Sequence, residues 1–319
     1  MLNLRLLLAL CLGISVPWAW AQDYPTKPIR VIVPLAPGGA VDSVARGIAT
    51  GLTESLKQTV VVDNRAGAAG SIGAELTARA APDGYTLLVA SASFSIYPLM
   101  NPGSYDPVRD FAPVSLAVSL PLVLAVNPTV PANTVSELIA LARAKPGTLN
   151  YGSSGSGGFP HLAGELLKAM TGTNIVHIPY KGNAAAMTDV IAGQIQFMFA
   201  SPGLSIPHIK SGRLRGLAVS SRTRSKSAPE FPPLHEAGVP GFDVTQWIGV
   251  LAPAKTPHPV IDRLQRGIVA ALQRPELIAR LAIEGLDPVA SSPEQFEQII
   301  SSELEKWRKV IKEAGIRTE

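Results

Sequence analysis

Cysteine is almost missing from this sequence. Among 319 residues only Cys11 occurs, and it lies in an N-terminal stretch that reads as a removable leader. A chain without that stretch has no disulfide, no thiol nucleophile and no cysteine metal ligand, so its stability must come from core burial. Charge is also sparse: charged residues make up 16% of the chain against 46% hydrophobic ones. The formal charge of +4 becomes +3 once Arg5 is removed, because no acid precedes Asp23. Basic residues are scattered. The densest cluster, "SSRTRSKS" (Ser220 to Ser227), lacks interleaved aromatics and a helical stripe, so it reads as a solvated loop rather than a nucleic-acid patch. No second long apolar run follows the N-terminal one, which leaves a globular chain with no further membrane span. The phosphate-binding pattern G-x-x-x-x-G-K-[ST] is absent, and Pro160 stands where a dinucleotide fingerprint would need glycine.

The N-terminal run is itself short. Arg5 provides a basic start, "LLLALCLGISV" an apolar centre, and Ala19 and Ala21 the small-residue pattern read by signal peptidase. Residues 1–21 are expected to be a signal peptide cut after Ala21, giving a periplasmic chain that begins at Gln22. The alternatives are an uncleaved anchor, which the immediate small residues disfavour, and a lipoprotein, for which Leu10 is the wrong neighbour of Cys11.

The remaining residues alternate between strand and helix patterns. "IRVIV" is a β-branched run ended by Pro and Gly, and Val41, Val44, Ala45, Ile48, Leu52 and Leu56 follow at helical spacing. "TVVVDNR", "SIGAELTARAAPDG" and "YTLLVASAS" continue as strand, helix and strand, the last running into a small-residue loop. The pattern then restarts with "PLVLAVNP" and a helix whose Thr134 and Glu137 have capping-box spacing. "TLNYGSSGSGG" is again strand plus glycine turn, followed by a helix opened by Pro160. Further strands, "NIVHIPY", "QIQFMFAS" and "LRGLAVSS", complete a second unit with the helix "NAAAMTDVIAG". Three helices end the chain, the last from Pro293 to about Ala314 with Phe296, Ile300, Leu304, Trp307 and Ile311 on one stripe. The fold class is α/β: two lobes, each with a mixed, mainly parallel sheet.

Two glycine-rich turns stand out, "APGGAVD" with Ala36, Gly38, Gly39 and Asp42, and "GSSGSGG" with Ser153, Ser154, Gly155 and Ser156. Each lies between a strand's C-terminal end and a helix's N-terminus, where α/β sheets bind ligands and backbone N–H groups favour anions. Each could equally be a tight connection that needs glycine dihedrals. Asp42 could cap its own helix or accept from a ligand donor. A nucleophile elbow is not formed, since Ser156 takes the place of its last glycine. Ser, His and Asp all occur, so an exported serine hydrolase stays open by inventory, with Ser154 as its nucleophile, but nothing places them as a triad. His161 and Glu165 are one helical turn apart without a third ligand, and His177, His208, His235 and His258 form no metal spacing. No catalytic residue, metal or cofactor is expected, and no nucleic-acid partner.

The ordered segments "YPTKPIRVIVPLAPGGAVDSVAR", "VVVDNRAGAAGSIGAELTARAAPDGYTLL", "YDPVRDFAPVSL", "NYGSSGSGGFPHLAGELL" and "IVHIPYKGNAAAMTDVIAGQI" resemble the Bug family. These are extracytoplasmic solute-binding receptors of tripartite tricarboxylate transporters. The resemblance runs from about Tyr24 to Glu319. It implies a periplasmic binding protein of the type II-like, flytrap kind, closing on a small carboxylated solute. Residues 22–123 and 246–319 would form the first domain and 124–245 the second. By the same resemblance, the loops at Ala36 to Asp42 and Ser153 to Ser156 grip the ligand. Ser91, Ser93, Ala200 and Ser201 line the cleft with them. His161, at its helix start, is either a structural hydrogen-bonding residue or a further ligand contact. Many relatives carry an acid where Ala200 stands, so a ligand ammonium has lost one partner here. The implied protein is a monomer serving the membrane subunits of a transporter. A receptor feeding a membrane signalling partner would share the same sequence pattern.

Overall fold

The computed structural model describes residues 24–156, 158–180 and 182–314. The leader and its cleavage site lie outside them. The first lobe opens with β1 (Ile29–Val33), α1 (Ala40–Leu56), β2 (Val60–Asn64), a 3-10 turn (Ala68–Gly70) and α2 (Ser71–Ala78). It continues with β3 (Thr86–Ser91), α3 (Ser93–Met100) and β4 (Phe111–Pro121). The second lobe comprises β5 (Val123–Val126), α4 (Val135–Ala144), β6 (Asn150–Ser153), α5 (Phe159–Thr171) and β7 (Val176–Pro179). Then come α6 (Asn183–Ile191), β8 (Phe197–Ala200), α7 (Pro202–Lys210) and β9 (Arg215–Val219). The chain returns to the first lobe through β10 (Thr245–Pro253), α8 (His258–Leu272), α9 (Pro275–Glu284), β11 (Asp287–Pro288) and α10 (Pro293–Ala314).

The strands form two sheets, ordered β11-β4-β10-β3-β1-β2 and β7-β6-β8-β5-β9. Among the strands of the two sheets, parallel pairing joins β1 with β2 and β3, and β6 with β7 and β8. The strands that carry the chain between lobes, β4, β5 and β10, pair antiparallel. The sheets are therefore mixed, but less parallel than strand–helix alternation implies. That alternation fixes only the crossover units; the connecting strands turn back on their neighbours.

Local sequence explains the helices. In α1 the six apolar residues at helical spacing are all buried. In α4 the Thr134 hydroxyl accepts from the Glu137 N–H at 3.1 Å, while Glu137 Oε2 reaches back to the Asn133 N–H at 2.6 Å. That is a capping box displaced by one residue. In α10 Phe296, Ile300 and Trp307 are buried, with Leu304 and Ile311 packed beside them. Trp307 meets Phe159, the first residue of α5, edge-to-face at 6.1 Å. The last helix thus touches both lobes.

The seam between lobes is built from serines. Ser220 Oγ accepts from the Leu122 N–H at 2.8 Å and donates to the Val244 carbonyl at 2.5 Å, joining the outgoing and returning chains. Nearby, Asp287 accepts from Ser225 Oγ at 2.7 Å and from the N–H groups of Lys226 and Ser227 at 3.0 and 2.9 Å. The segment Ser220 to Ser227 is therefore not simply a solvated loop. Its Arg222, Arg224 and Lys226 are exposed, but Ser220, Ser221 and Ser225 are buried, and Ser220 and Ser225 hold the seam.

Candidate ligand-binding site

In the first sheet β1 and β3 run parallel, so the turn after β1 and the Ser91–Ser93 connection share one end. Pro34 is buried, while Leu35 through Gly39 are exposed. Gly38 has φ +90°, a conformation that side chains resist. Gly39 has an ordinary φ of −86° as the N-cap of α1, and a Cβ added there would meet nothing within 4 Å. The backbone thus demands glycine at Gly38 but not at Gly39.

Asp42 holds this turn. One oxygen accepts from the Gly38 N–H at 3.0 Å and from Arg46 Nε at 2.9 Å, and the other from Asn64 Nδ2 at 3.0 Å. Asn64 Nδ2 also donates to the Leu35 carbonyl at 3.1 Å. The Arg46 bond, with those from Gly38 and Asn64, holds the Asp42 carboxyl down at about 2 despite its burial. Asp42 is not the N-cap, which is Gly39 without a side-chain cap bond; it ties the turn to the helix that follows through Gly38 and Arg46. A narrow crevice lies beside the turn, lined by Pro34, Leu35, Gly70, Ser91, Ser93 and Tyr105 among others. Ser93 is the first residue of α3 rather than part of a loop, and its Oγ lies 2.9 Å from that of Ser91.

In the second sheet β6 runs parallel to β7 and β8. The turn after Ser153, the turn containing Tyr180 and Gly182, and Ser201 therefore share one end. Ser153 is fully buried, Ser154 and Gly155 are half-buried, and Ser156 is exposed. Gly155 has φ +128°. Ser153 Oγ lies 2.6 Å from His177 Nε2, 3.1 Å from the Gly155 nitrogen and 3.0 Å from the Gly155 oxygen.

Beneath this turn the His161 and His177 rings stack at 3.9 Å, and His161 Nε2 lies 3.9 Å from Glu165 Oε1. Glu165 accepts from the Tyr151 hydroxyl at 2.8 Å and from Lys168 at 2.7 Å. Burial lowers both histidines, His177 to about 4, with Glu165 pulling the other way. Both imidazoles are therefore neutral near pH 7. Among the described residues no three His, Cys, Asp or Glu side chains are grouped to hold a metal.

Ala36, Gly38, Gly39, Asp42, Ser91 and Ser93 thus gather in the first lobe. Ser153, Ser154, Gly155, Ser156, His161 and Ser201 gather in the second. Ala200 is fully buried in a small core with Ala125, Ala186 and Met198, so its methyl group packs inside the lobe. Sequence reasoning missed Asn64, Tyr105 and His177. Each acts through strand register or a distant contact, and only the polar end of "VVVDN" hinted at Asn64. A Ser–His contact does exist, but it falls on the buried Ser153 and not on Ser154. Ser153 Oγ is already engaged by Gly155, which is no arrangement for a nucleophile.

Two α/β lobes joined by crossing strands, each with a glycine turn at its strand ends, define a two-lobed solute-binding protein. A family model described as the tripartite tricarboxylate transporter family receptor matches residues 44–316. BugT of Bordetella pertussis is 39% identical over 308 residues, covering 96% of this chain and 94% of its own. The periplasmic binding protein BugD shares 35% identity, with a TM-score of 0.68 over 93% of this chain and all of its own (100%). R. palustris Rpa4515 with adipate shares 35%, with a TM-score of 0.71 over 92% of this chain and 99% of its own. A TctC solute binding protein from Polaromonas, with no ligand, shares 26% but superposes at a TM-score of 0.85 over 91% of this chain and 99% of its own. The chain belongs to the tripartite tricarboxylate transporter receptor family, and BugD and the Polaromonas relative are binding proteins. No helix among the described residues is long and apolar enough to cross a membrane.

Proposed function

We propose that this protein captures a small carboxylated solute between its lobes in the periplasm and presents it to the membrane subunits of a tripartite transporter. Gly39 carries the reading. Neither backbone angle nor packing requires glycine there, so the missing side chain leaves room for a ligand at exposed N–H groups of a helix N-terminus. The adipate bound by the R. palustris relative supports a carboxylate.

The two turns would face each other across the seam. Ala92, between Ser91 and Ser93, donates to the Trp247 carbonyl at 3.0 Å, and Phe159, at the end of the second turn, packs on Trp307. Both turns are thereby anchored beside the crossing elements. Gly38, Gly39, Ser91, Ser93, Ser154 and Ser156 would contact the solute, while Asp42 and Ser153 hold the turns. Asp42 has both oxygens engaged, which favours a carboxylate without an ammonium group.

The first lobe would be 22–123 with 246–319, the second 124–245. The leader would be removed after Ala21 and the mature protein would be a monomer.

The test is a thermal-shift screen of refolded protein from Gln22 against mono-, di- and tricarboxylates and acidic amino acids. At a hundredfold excess over Kd a ligand stabilises by about 2.7 kcal/mol, several degrees of Tm. A shift confined to one carboxylate class is expected; a shift with amino acids alone would overturn the class.

A further inference from the structure

The second turn contains a hydrogen-bond puzzle with one complete solution. A serine hydroxyl has one proton to give and two lone pairs to accept with. Ser153 Oγ stands within reach of three partners: the Gly155 N–H, the Gly155 carbonyl and His177 Nε2. The Gly155 carbonyl can only accept, so the Ser153 proton is needed there. The Gly155 N–H can only donate. All three contacts are satisfied together only if His177 Nε2 carries a proton and donates to Ser153 Oγ. If Nε2 were bare, the single hydroxyl proton would have to serve two acceptors. The Ser153 carbonyl accepts from the Tyr180 N–H at 3.0 Å and the residue is completely buried, so its hydroxyl has nothing left for a solute.

We infer that His177 is a positioning residue for the second turn, donating from Nε2 to Ser153 Oγ and so fixing Gly155 in its positive-φ conformation. This rests on the carboxylate reading above and specifies how that site is built. The clasp closes a ring over Ser153 and Gly155 and turns the Gly155 N–H inward. The solute is left to Ser154 and Ser156, the half-buried and exposed serines of the turn. The stack on His161 holds the His177 ring in plane, and Tyr151 packs near it with ring centroids 4.9 Å apart. Strand register explains the pairing: β6 and β7 are parallel with Tyr151 opposite His177 and Ser153 opposite Pro179.

Two substitutions separate positioning from bulk packing. His177→Gln keeps an N–H at about the reach of Nε2, whereas His177→Leu fills the space without a donor. In ligand-free wild type, 15N correlation of the His177 ring should show the neutral Nε2–H tautomer, and the Gly155 amide should exchange slowly. The leucine variant should exchange at Gly155 about tenfold faster, as expected for loss of one buried hydrogen bond, and the glutamine variant should restore protection. With adipate as probe, the leucine variant should bind about tenfold more weakly than wild type and the glutamine variant close to wild type. An Nδ1–H tautomer, or equal behaviour of the two variants, overturns the inference. If wild type binds neither adipate nor any other carboxylate of the panel, the carboxylate reading fails, and the clasp is judged by tautomer and amide exchange alone.

Discussion

The indole of Trp247 donates to Glu303 Oε2 at 2.6 Å, burying a carboxyl where the returning strand β10 meets the last helix. Glu303 is 5% exposed, and burial pushes it up to about 7, with Lys306 and the Trp247 bond pulling it back and Asp243 adding to the rise. The folded protein therefore holds a proton there that the unfolded chain releases near 4.5. Between these values stability should fall as pH rises, by about 3 kcal/mol in all. Glu303→Gln keeps an acceptor for the indole and should flatten the profile from pH 5 to 7. Denaturant melts at several pH values check this; an unchanged slope in the variant contradicts it.

Asp42→Ala should free the Gly38 N–H and loosen the first turn. The variant should bind the solute more weakly than His161→Ala, because Asp42 ties down three donors at the turn itself. His161 supports the second turn from below. Matched calorimetric titrations rank the two variants, and the reverse order would show that the turns are held differently.

Gly38 and Gly39 should behave oppositely although they are neighbours. Gly38→Val forces a β-branched residue to φ +90° and should cost stability, on the order of 1–2 kcal/mol. Gly39→Val finds open space and a permitted φ, so its Tm should match wild type while binding is lost. Retained affinity in a well-folded Gly39→Val protein would remove the solute from this turn.

Much of this fold is legible in the sequence, and the reason is periodicity. The stripes of α1 and α10, the strand–turn–helix joins at Gly38 and Gly158, and the cap at Thr134 all announce themselves locally. The sequence pattern missed α3, α7 and the strands β4 and β10. In β10 every residue from Trp247 to Pro253 is buried, so no alternation marks it. Pro98 in α3 and Pro207 in α7 disguise those helices as loops. The two glycine turns of the candidate site could be read directly. Their supports could not, because Asn64 and His177 reach them only through strand register.

Ser220→Ala should expose how firmly the lobes are tied. It leaves the Leu122 N–H without its partner at a fully buried position, a loss of about 1–3 kcal/mol. The Tm should drop by several degrees. A Tm equal to wild type would mean the main-chain bonds of Ser220 to Leu122 and Val244 carry the seam alone.

Isothermal titration of the refolded mature protein with the carboxylate panel tests the central claim most directly. Saturable 1:1 heat from one carboxylate class, lost in Gly39→Val, is the predicted result. Binding that Gly39→Val leaves intact, or no heat from any carboxylate, would contradict it.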